Sequence, residues 1–323
     1  MKVLVIRFSS IGDIVLTSPV VRCLKTQLHG ADIHFLTKQV FQEIPAANPH
    51  ISKVYSIQQD IAEVMQELQQ ERYDIVVDLH DNIRSRQVCA QLKQKKNKVY
   101  RYNKQRFRRF LLTTFQWDVL HSHVVDRYFS AVKALGIIND GKGLDYFIPE
   151  QEDIPMGKLP FTHLAGYAVV VVGAQHFTKQ IPLEKLQELC GKMPIPVILI
   201  GGKEDAYTGT QIEAVDNFKI YNACGKYSIH QSASIIRKAK FVVTPDTGMM
   251  HIAAAFHKRI ISVWGSTEKR LGFIPYQNEA NTVIIENAQL SCRPCHKHGR
   301  DACPKGHFKC MMELDMQKVV DVL

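Results

Sequence analysis

Short apolar runs rich in β-branched residues alternate with stretches of helical period along most of the chain. KVLVI at the start gives way to IVLTSPVVRCLKTQL, and DIHFLT, IAEVMQELQQ and DIVVDL follow. Continuous apolar runs bounded by turn residues predict strands buried on both faces, and the amphipathic stretches between them predict crossover helices. The pattern loosens between Glu150 and Gly166, where Pro149, Pro155 and Pro160 mark a linker. A second series then runs through YAVVVVG, PLEKLQELCGKM, PVILIGG, FKIYNACG, SASIIRKAK, FVVTPDTG, MMHIAAAF and RIISVWG. The prediction is an α/β fold of two Rossmann-like domains, 1–155 and 156–323, with a ligand cleft between the carboxyl ends of their sheets. The closing DMQKVVDVL is helical by pattern, and topology allows it to pack back on the first domain.

Two strand exits draw attention. In RFSSIGDIVLTSP the strand runs into Ser9, Ser10, Gly12 and Asp13. Gly12 permits a tight turn, the serines offer hydroxyls and main-chain N–H groups, and Asp13 is brought to the rim of the sheet. Asp13 is either a cap for the helix that follows or a working carboxylate. Pro19 leaves two placements open: a helix from Gly12 disturbed at the proline, or one capped by Ser18 with Pro19 in its first position. In FVVTPDTGMMHIAAAF a strand ends at Thr244, Asp246 can cap the next helix, and Thr247 and Gly248 present N–H groups at its positive end. That opening suits a pyrophosphate, and His251 falls on the same side as Thr247. Lys179, in GAQHFTKQIP, and Glu204, in LIGGKED, also follow strands; the first can neutralise phosphate, the second can accept hydrogen bonds from ribose or base.

Composition narrows the class. With 323 residues, 46% of them hydrophobic, the chain can bury a substantial core. No apolar run approaches the roughly 18–20 residues of a membrane span, and the first run breaks at Arg7 without a cleavage site, so a cytoplasmic protein is expected. A formal charge of +10 points to an anionic partner. Much of it lies in KQKKNKVYRYNKQRFRR, residues 93–109, which holds nine Lys or Arg, no acid, and Tyr100, Tyr102 and Phe107. Basic residues among aromatics fit a nucleic-acid surface, a solvated face, or docking to a phosphorylated lipid or anionic leaflet. Cys23, Cys89, Cys190 and Cys224 sit in apolar patterns and read as buried thiols. Cys292, Cys295, Cys303 and Cys310 cluster in CRPCHKHGRDACPKGHFKC, where the first pair has zinc-ligand spacing and a structural zinc is possible.

Together these motifs resemble glycosyltransferase family 9, the ADP-heptose:lipopolysaccharide heptosyltransferases of GT-B architecture. The resemblance is carried by RFSSIGDIVLTSPVVRCLK, YDIVVDLHDNIRS, DTGMMHIAAA, VWGSTE and the Pro275-Tyr276 pair. It implies that Asp13 is the candidate catalytic base and that Lys179, Asp246, Thr247, Gly248 and His251 bind the nucleotide-sugar; Glu204 joins them from its place at a strand end. The resemblance does not carry over the acceptor, and Ser9, Ser10, Gly12, Asn82 and Arg84 are expected on the acceptor side from their places in the first half. Ile181 stands where the family often has an aromatic, and His80 where it often has a glutamine or similar residue. No Asp-x-Asp occurs in the sequence, so a cofactor-free, metal-independent, inverting transfer from an ADP-sugar is expected, with Lys179 and a helix N-terminus meeting the charge of the leaving group. The implied acceptor is a phosphorylated lipid or lipopolysaccharide core at the inner face of the inner membrane, with no nucleic acid. The rival reading is a nucleic-acid- or membrane-binding protein on a degenerate transferase fold.

Overall fold

A computed structural model describes residues 1–93 and 97–323. By its internal contacts the chain divides into two compact units, Met1–Arg106 with Ser122–Phe147, and Phe107–His121 with Ile148–Leu323. The proline-marked stretch around 149–160 belongs with the second unit, held there by Lys238 and Arg237 on Asp153 and by the Ser228 hydroxyl donating to Glu152 at 2.7 Å. The excursion at 107–121 has no signature in the hydrophobic pattern.

The first unit is a parallel sheet of β1 (Lys2–Ile6), β2 (Asp32–Lys38), β3 (Lys53–Ile57), β4 (Ile75–Asp78) and β5 (Lys98–Arg101), in the order β3-β2-β1-β4-β5. Val3 to Ile6 are fully buried because helices cover both faces of the central strand. The second unit holds β6 (Ala168–Val171), β7 (Val197–Ile200), β8 (Ile220–Asn222), β9 (Phe241–Pro245), β10 (Arg259–Trp264) and β11 (Thr282–Glu286). Their order is β11-β10-β9-β6-β7-β8, all parallel. Read from the opposite edge, this is the doubly wound order in which the first strand pairs with both the second and the fourth. In each sheet the chain winds outward one way, returns to the centre, and winds the other way. The reversals fall between β1 and β4 and between β6 and β9.

The terminal helix, Gln317–Val320, packs within the second unit, where Met316 and Val319 are fully buried in the same core as Val170, Leu189 and Ile261. The Pro19 region resolves between the two placements left open by the sequence. A short helix, Ile11–Val15, ends before a second one, Ser18–Gln27, which has Thr17 at its N-cap position without a side-chain capping bond and carries Pro19 in its first turn. Among the described residues no helix is long and apolar enough to cross a membrane.

The second of these helices is fastened by Arg22. Its side chain is 8% exposed; Nε and Nη2 donate to the two oxygens of Asp140 at 2.8 Å each, Nη1 donates to Asp145, and Nη2 also reaches the Gly143 carbonyl. These bonds from Arg22, offset in part by burial, hold the Asp140 carboxyl down at about 2. A depressed carboxylate contributes stability that is fully present above its unfolded value of about 3.9 and is lost as pH falls through the folded one. In urea denaturation, Asp140→Asn should cost about 1–2 kcal/mol at neutral pH, allowing for solvent screening. The gap between wild type and variant should close as pH falls from about 4 to 2; a gap independent of pH would show that the charge on Asp140 is not what fastens the helix.

Candidate functional site

In the first unit, Asp13 stands just beyond the carboxyl end of β1, next to the β1–β4 reversal, where Ile6 pairs with Asp78. It is the third residue of the helix Ile11–Val15, and Ser10 is the N-cap. The Ser10 N–H and Oγ donate to Asp13 Oδ2 at 3.3 and 3.2 Å, so Asp13 does cap its helix. Its other oxygen is taken by Arg7: Nη2 lies 2.7 Å from Oδ1, and the Tyr128 hydroxyl donates to the same oxygen at 3.4 Å. Gly12 is a buried helical residue rather than the hinge of a tight turn.

In the sequence Arg7 is only the break in the first apolar run, yet it is 7% exposed and donates to the Ser9 and Leu79 carbonyls, both at 2.7 Å. Burial opposes its charge, but Asp13 outweighs that, and its pKa is raised. His80 sits beside it, accepting a hydrogen bond from the Phe8 N–H through Nδ1 and packed edge-on to the Phe8 ring. Burial, then the charges of Arg7 and Lys104, lower its pKa to about 3, so the ring is neutral at physiological pH.

Of the acceptor-side candidates, Ser9 and Ser10 are half-buried beside Asp13. Asn82 caps the helix Ile83–Gln91, its side chain accepting from the Ser85 N–H at 2.8 Å, and Arg84 is exposed on that helix. The basic stretch is less uniform than its composition suggests. Arg101 donates to the fully buried Asp78 at 3.0 Å, and Arg106 donates to the Asp81 carbonyl at 2.6 Å. Arg109 is 5% exposed, with its guanidinium over the Phe273 ring. Arg108 is exposed, and Lys95 and Lys96 lie outside the described residues.

In the second unit, the residues following β6 and β9 meet at that sheet's reversal. Lys179 Nζ lies 2.6 Å from Asp246 Oδ2 and donates to the Asp246 carbonyl at 3.1 Å. The Thr267 hydroxyl, in the loop after β10, donates to the same carboxylate oxygen at 2.9 Å. Asp246 was expected to cap the helix that follows. Instead, Thr247 is the N-cap of the helix Gly248–Ala255, and no side chain closes that end. Thr247 and Gly248 are half-buried, whereas His251 is 3% exposed inside the helix face. An α-helix leaves its first N–H groups without intrahelical partners, and these carry a partial positive charge. Glu204 is exposed on the short turn after β7.

The cysteine-rich segment braces this arrangement through residues that its cysteines concealed. Arg293, 5% exposed, donates to the carbonyls of Gly265, Trp264 and Thr267 and pairs with Glu286 at 2.7 Å, which fixes the loop that carries Thr267. Gly265 is required there: a Cβ would come within 2.8 Å of the Thr178 carbonyl oxygen and the Met311 side chain. Thr178 in turn accepts from the Arg300 N–H at 2.8 Å, tying the segment to the turn that holds Lys179. Among the described residues no three His, Cys, Asp or Glu side chains are grouped to hold a metal ion, at Cys292, Cys295, Cys303 and Cys310 or elsewhere. Burial pushes the Cys295 thiol up to about 11 and that of Cys310 up to about 12, as in packed thiols. Cys23, Cys89, Cys190 and Cys224 are all buried, as their sequence context predicts.

Residues 61–304 match the sequence profile of Glycosyltransferase family 9 (heptosyltransferase). The chain belongs to that family. Lipopolysaccharide heptosyltransferase 1 of Escherichia coli is 25% identical over 84% of this chain and 90% of its own length. Lipooligosaccharide heptosyltransferase 2 of Campylobacter jejuni is 32% identical over 34% of this chain, a match that spans only 33% of the Campylobacter protein. The fold is that of solved family members of GT-B architecture. ADP-heptose lps heptosyltransferase II of E. coli superposes with a TM-score of 0.76 at 18% identity, covering 99% of this chain and 97% of that one. The E. coli heptosyltransferase WaaC with ADP gives 0.70 at 22% identity, covering 100% and 98%.

The bracing role of Arg293 can be tested directly. Arg293→Met removes a buried cation and leaves Glu286 and the carbonyls of Gly265 and Thr267 without their donor, so urea denaturation should show a loss of about 3–5 kcal/mol. A loss below about 1 kcal/mol would mean that the segment holds the loop by its apolar contacts alone.

Proposed function

We propose that this chain is an inverting, metal-independent glycosyltransferase that moves heptose from ADP-heptose to a lipopolysaccharide core or related glycolipid at the cytoplasmic face of the inner membrane. The observation that carries the reading is positional. Asp13 lies beside the strand-order reversal of its own sheet, and Lys179, Asp246 and Thr247 meet at the reversal of theirs, where open parallel sheets bind ligands. Names of family relatives support the substrate class, and the solved relatives include one with ADP.

In this mechanism Asp13 takes the proton of an acceptor hydroxyl. The freed oxygen forms a bond to the anomeric carbon while that carbon's bond to the diphosphate breaks, and ADP leaves with the electron pair. Arg7 supplies the counter-ion that keeps Asp13 oriented and desolvates little on substrate entry, since it is already buried. Negative charge develops on the leaving oxygen. Lys179 and the N–H groups opening the helix Gly248–Ala255 meet it in a preorganised way, the task given elsewhere to a metal on Asp-x-Asp. Asp246 positions Lys179, and Thr267 positions Asp246. Glu204 is assigned to the ribose or base, and His251 supports the helix terminus from within.

Asp13→Asn keeps the shape of the side chain and one acceptor oxygen, for either Arg7 or the Ser10 cap, and removes the base, so turnover should fall roughly 100-fold or more while ADP affinity holds. A folded variant with near wild-type turnover would return Asp13 to a capping role. Lys179→Ala should weaken ADP binding by about 1.5–3 kcal/mol in calorimetry, the range of a charge-assisted hydrogen bond. Unchanged affinity would remove Lys179 from the site. Turnover should persist in EDTA; activity abolished by chelator and restored by magnesium would contradict the role given to Lys179 and the helix terminus.

A further inference from the structure

His80 lies two residues beyond β4 and shares Arg7 with Asp13. All three nitrogens of that guanidinium are engaged: Nη2 lies 2.7 Å from Asp13 Oδ1, Nε donates to the Ser9 carbonyl and Nη1 to the Leu79 carbonyl, both at 2.7 Å. The Leu79 carbonyl belongs to the peptide bond that leads into His80, so one buried cation holds both the carboxylate and the backbone that carries the histidine. The His80 N–H donates to Oδ1 of the fully buried Asp78 at 3.0 Å. The ring is set from the neighbouring strand exit. Its Nδ1 accepts the Phe8 N–H at 3.3 Å, and it meets the Phe8 ring edge-on with centroids 5.4 Å apart. Backbone and ring are therefore both fixed, in a half-buried residue beside the candidate base.

These contacts decide the chemistry of the ring. A backbone N–H can only donate, so Nδ1 is the lone-pair nitrogen and the proton of the neutral imidazole sits on Nε2. Burial, then the charges of Arg7 and Lys104, with Asp13 acting in the opposite sense and Lys38 adding to the first, hold the pKa at about 3, so this tautomer persists at physiological pH. The ring cannot act as a base, because its lone pair is taken by the Phe8 N–H. Across the ring, Nε2 has no hydrogen-bond partner among the described residues, and it is not one of the atoms shut away from water. A polar hydrogen held in one direction and left without a partner is the form of a substrate contact. It also adds no charge, whereas a cation there would compete with Arg7 for Asp13. We propose that His80 binds the acceptor: its Nε2–H donates to an oxygen of the acceptor sugar next to the hydroxyl that Asp13 deprotonates, and so selects which hydroxyl is presented to the base. The proposal rests on the reading of the first opening as the acceptor site, and it deepens that reading by naming a residue that orients the nucleophile.

The full chain labelled with nitrogen-15 histidine gives a test that does not need turnover, with the His80 signals assigned by their loss in His80→Gln. They should show the Nε2–H tautomer, unchanged between about pH 8 and 5, and the Nε2 resonance should move when a soluble core oligosaccharide is added without donor. In kinetics, His80→Leu fills the space and removes the donor, so KM for that oligosaccharide should rise about tenfold, the worth of one hydrogen bond, while ADP affinity stays the same and shows that the variant is folded. His80→Gln returns a neutral N–H donor and should recover most of the loss, which a ring kept only for packing would not allow. A protonated ring, an Nδ1–H tautomer, or an Nε2 resonance indifferent to the oligosaccharide overturns the proposal. So does a His80→Leu variant with wild-type KM, or a His80→Gln variant as impaired as His80→Leu. If Asp13→Asn retains turnover while His80→Leu loses acceptor affinity, the base assignment fails and the role of His80 stands. If the oligosaccharide moves the Nε2 resonance but no transfer occurs with any ADP-sugar, the proposed activity fails and the binding contact remains.

Discussion

A parallel sheet that is wound first one way and then the other has one place where two neighbouring strands send their connections to opposite faces. The loops part there and leave an opening at the carboxyl ends of the strands. This constraint governs the molecule twice. In the first unit it is the pairing of β1 with β4, and the residues emerging there are Arg7, Asp13, Leu79 and His80. In the second it is the pairing of β6 with β9, and the emerging residues are Lys179, Asp246 and Thr247. The chemistry-bearing side chains were brought to these points by strand order, before any local feature of the loops is considered.

At both openings the charged side chains are paired. Asp13 is held by Arg7 on the first, and Lys179 by Asp246 on the second. Both pairs are mostly shielded from water, where an unpartnered charge would be expensive and a partnered one is held in a single geometry. Under the proposed function this pairing amounts to preorganisation: substrate would meet groups already desolvated and aimed, so little of its interaction energy would be lost to reordering them. The second opening depends on a longer chain of support, from Asp246 to Thr267 and from that loop to Arg293, so the cysteine-rich segment belongs to the architecture of the site.

Much of this was legible in the sequence. Runs such as YAVVVVG and PVILIGG read as buried parallel strands because they are short, rich in β-branched residues and bounded by turn signals, which a buried helix segment rarely is. Asp13, Lys179 and the Asp246–His251 group stand out as candidates in the sequence because each follows such a run. What was not legible depended on contacts distant in sequence. Strand β5 was hidden because half of its residues are basic and it lies within KQKKNKVYRYNKQRFRR, where charge outweighed period. Arg7 looked like an interruption, since nothing local reveals that Asp13 will fold back upon it. In CRPC the spacing of the thiols drew attention to a metal and away from Arg293 between them, whose burial is set by a loop more than twenty residues earlier. The excursion at 107–121 shows no boundary signal at all; its amphipathic pattern fits a helix in either unit.

The proposed reaction is a direct displacement by an acceptor oxygen deprotonated by Asp13, with no covalent glycosyl intermediate. The most direct measurement is the configuration of the product. With ADP-heptose of defined anomeric configuration and a soluble core-oligosaccharide acceptor, proton NMR of the new linkage should show the opposite configuration at the anomeric carbon. Retention of the donor's configuration would require two displacements or a front-face departure, and would contradict the role assigned to Asp13.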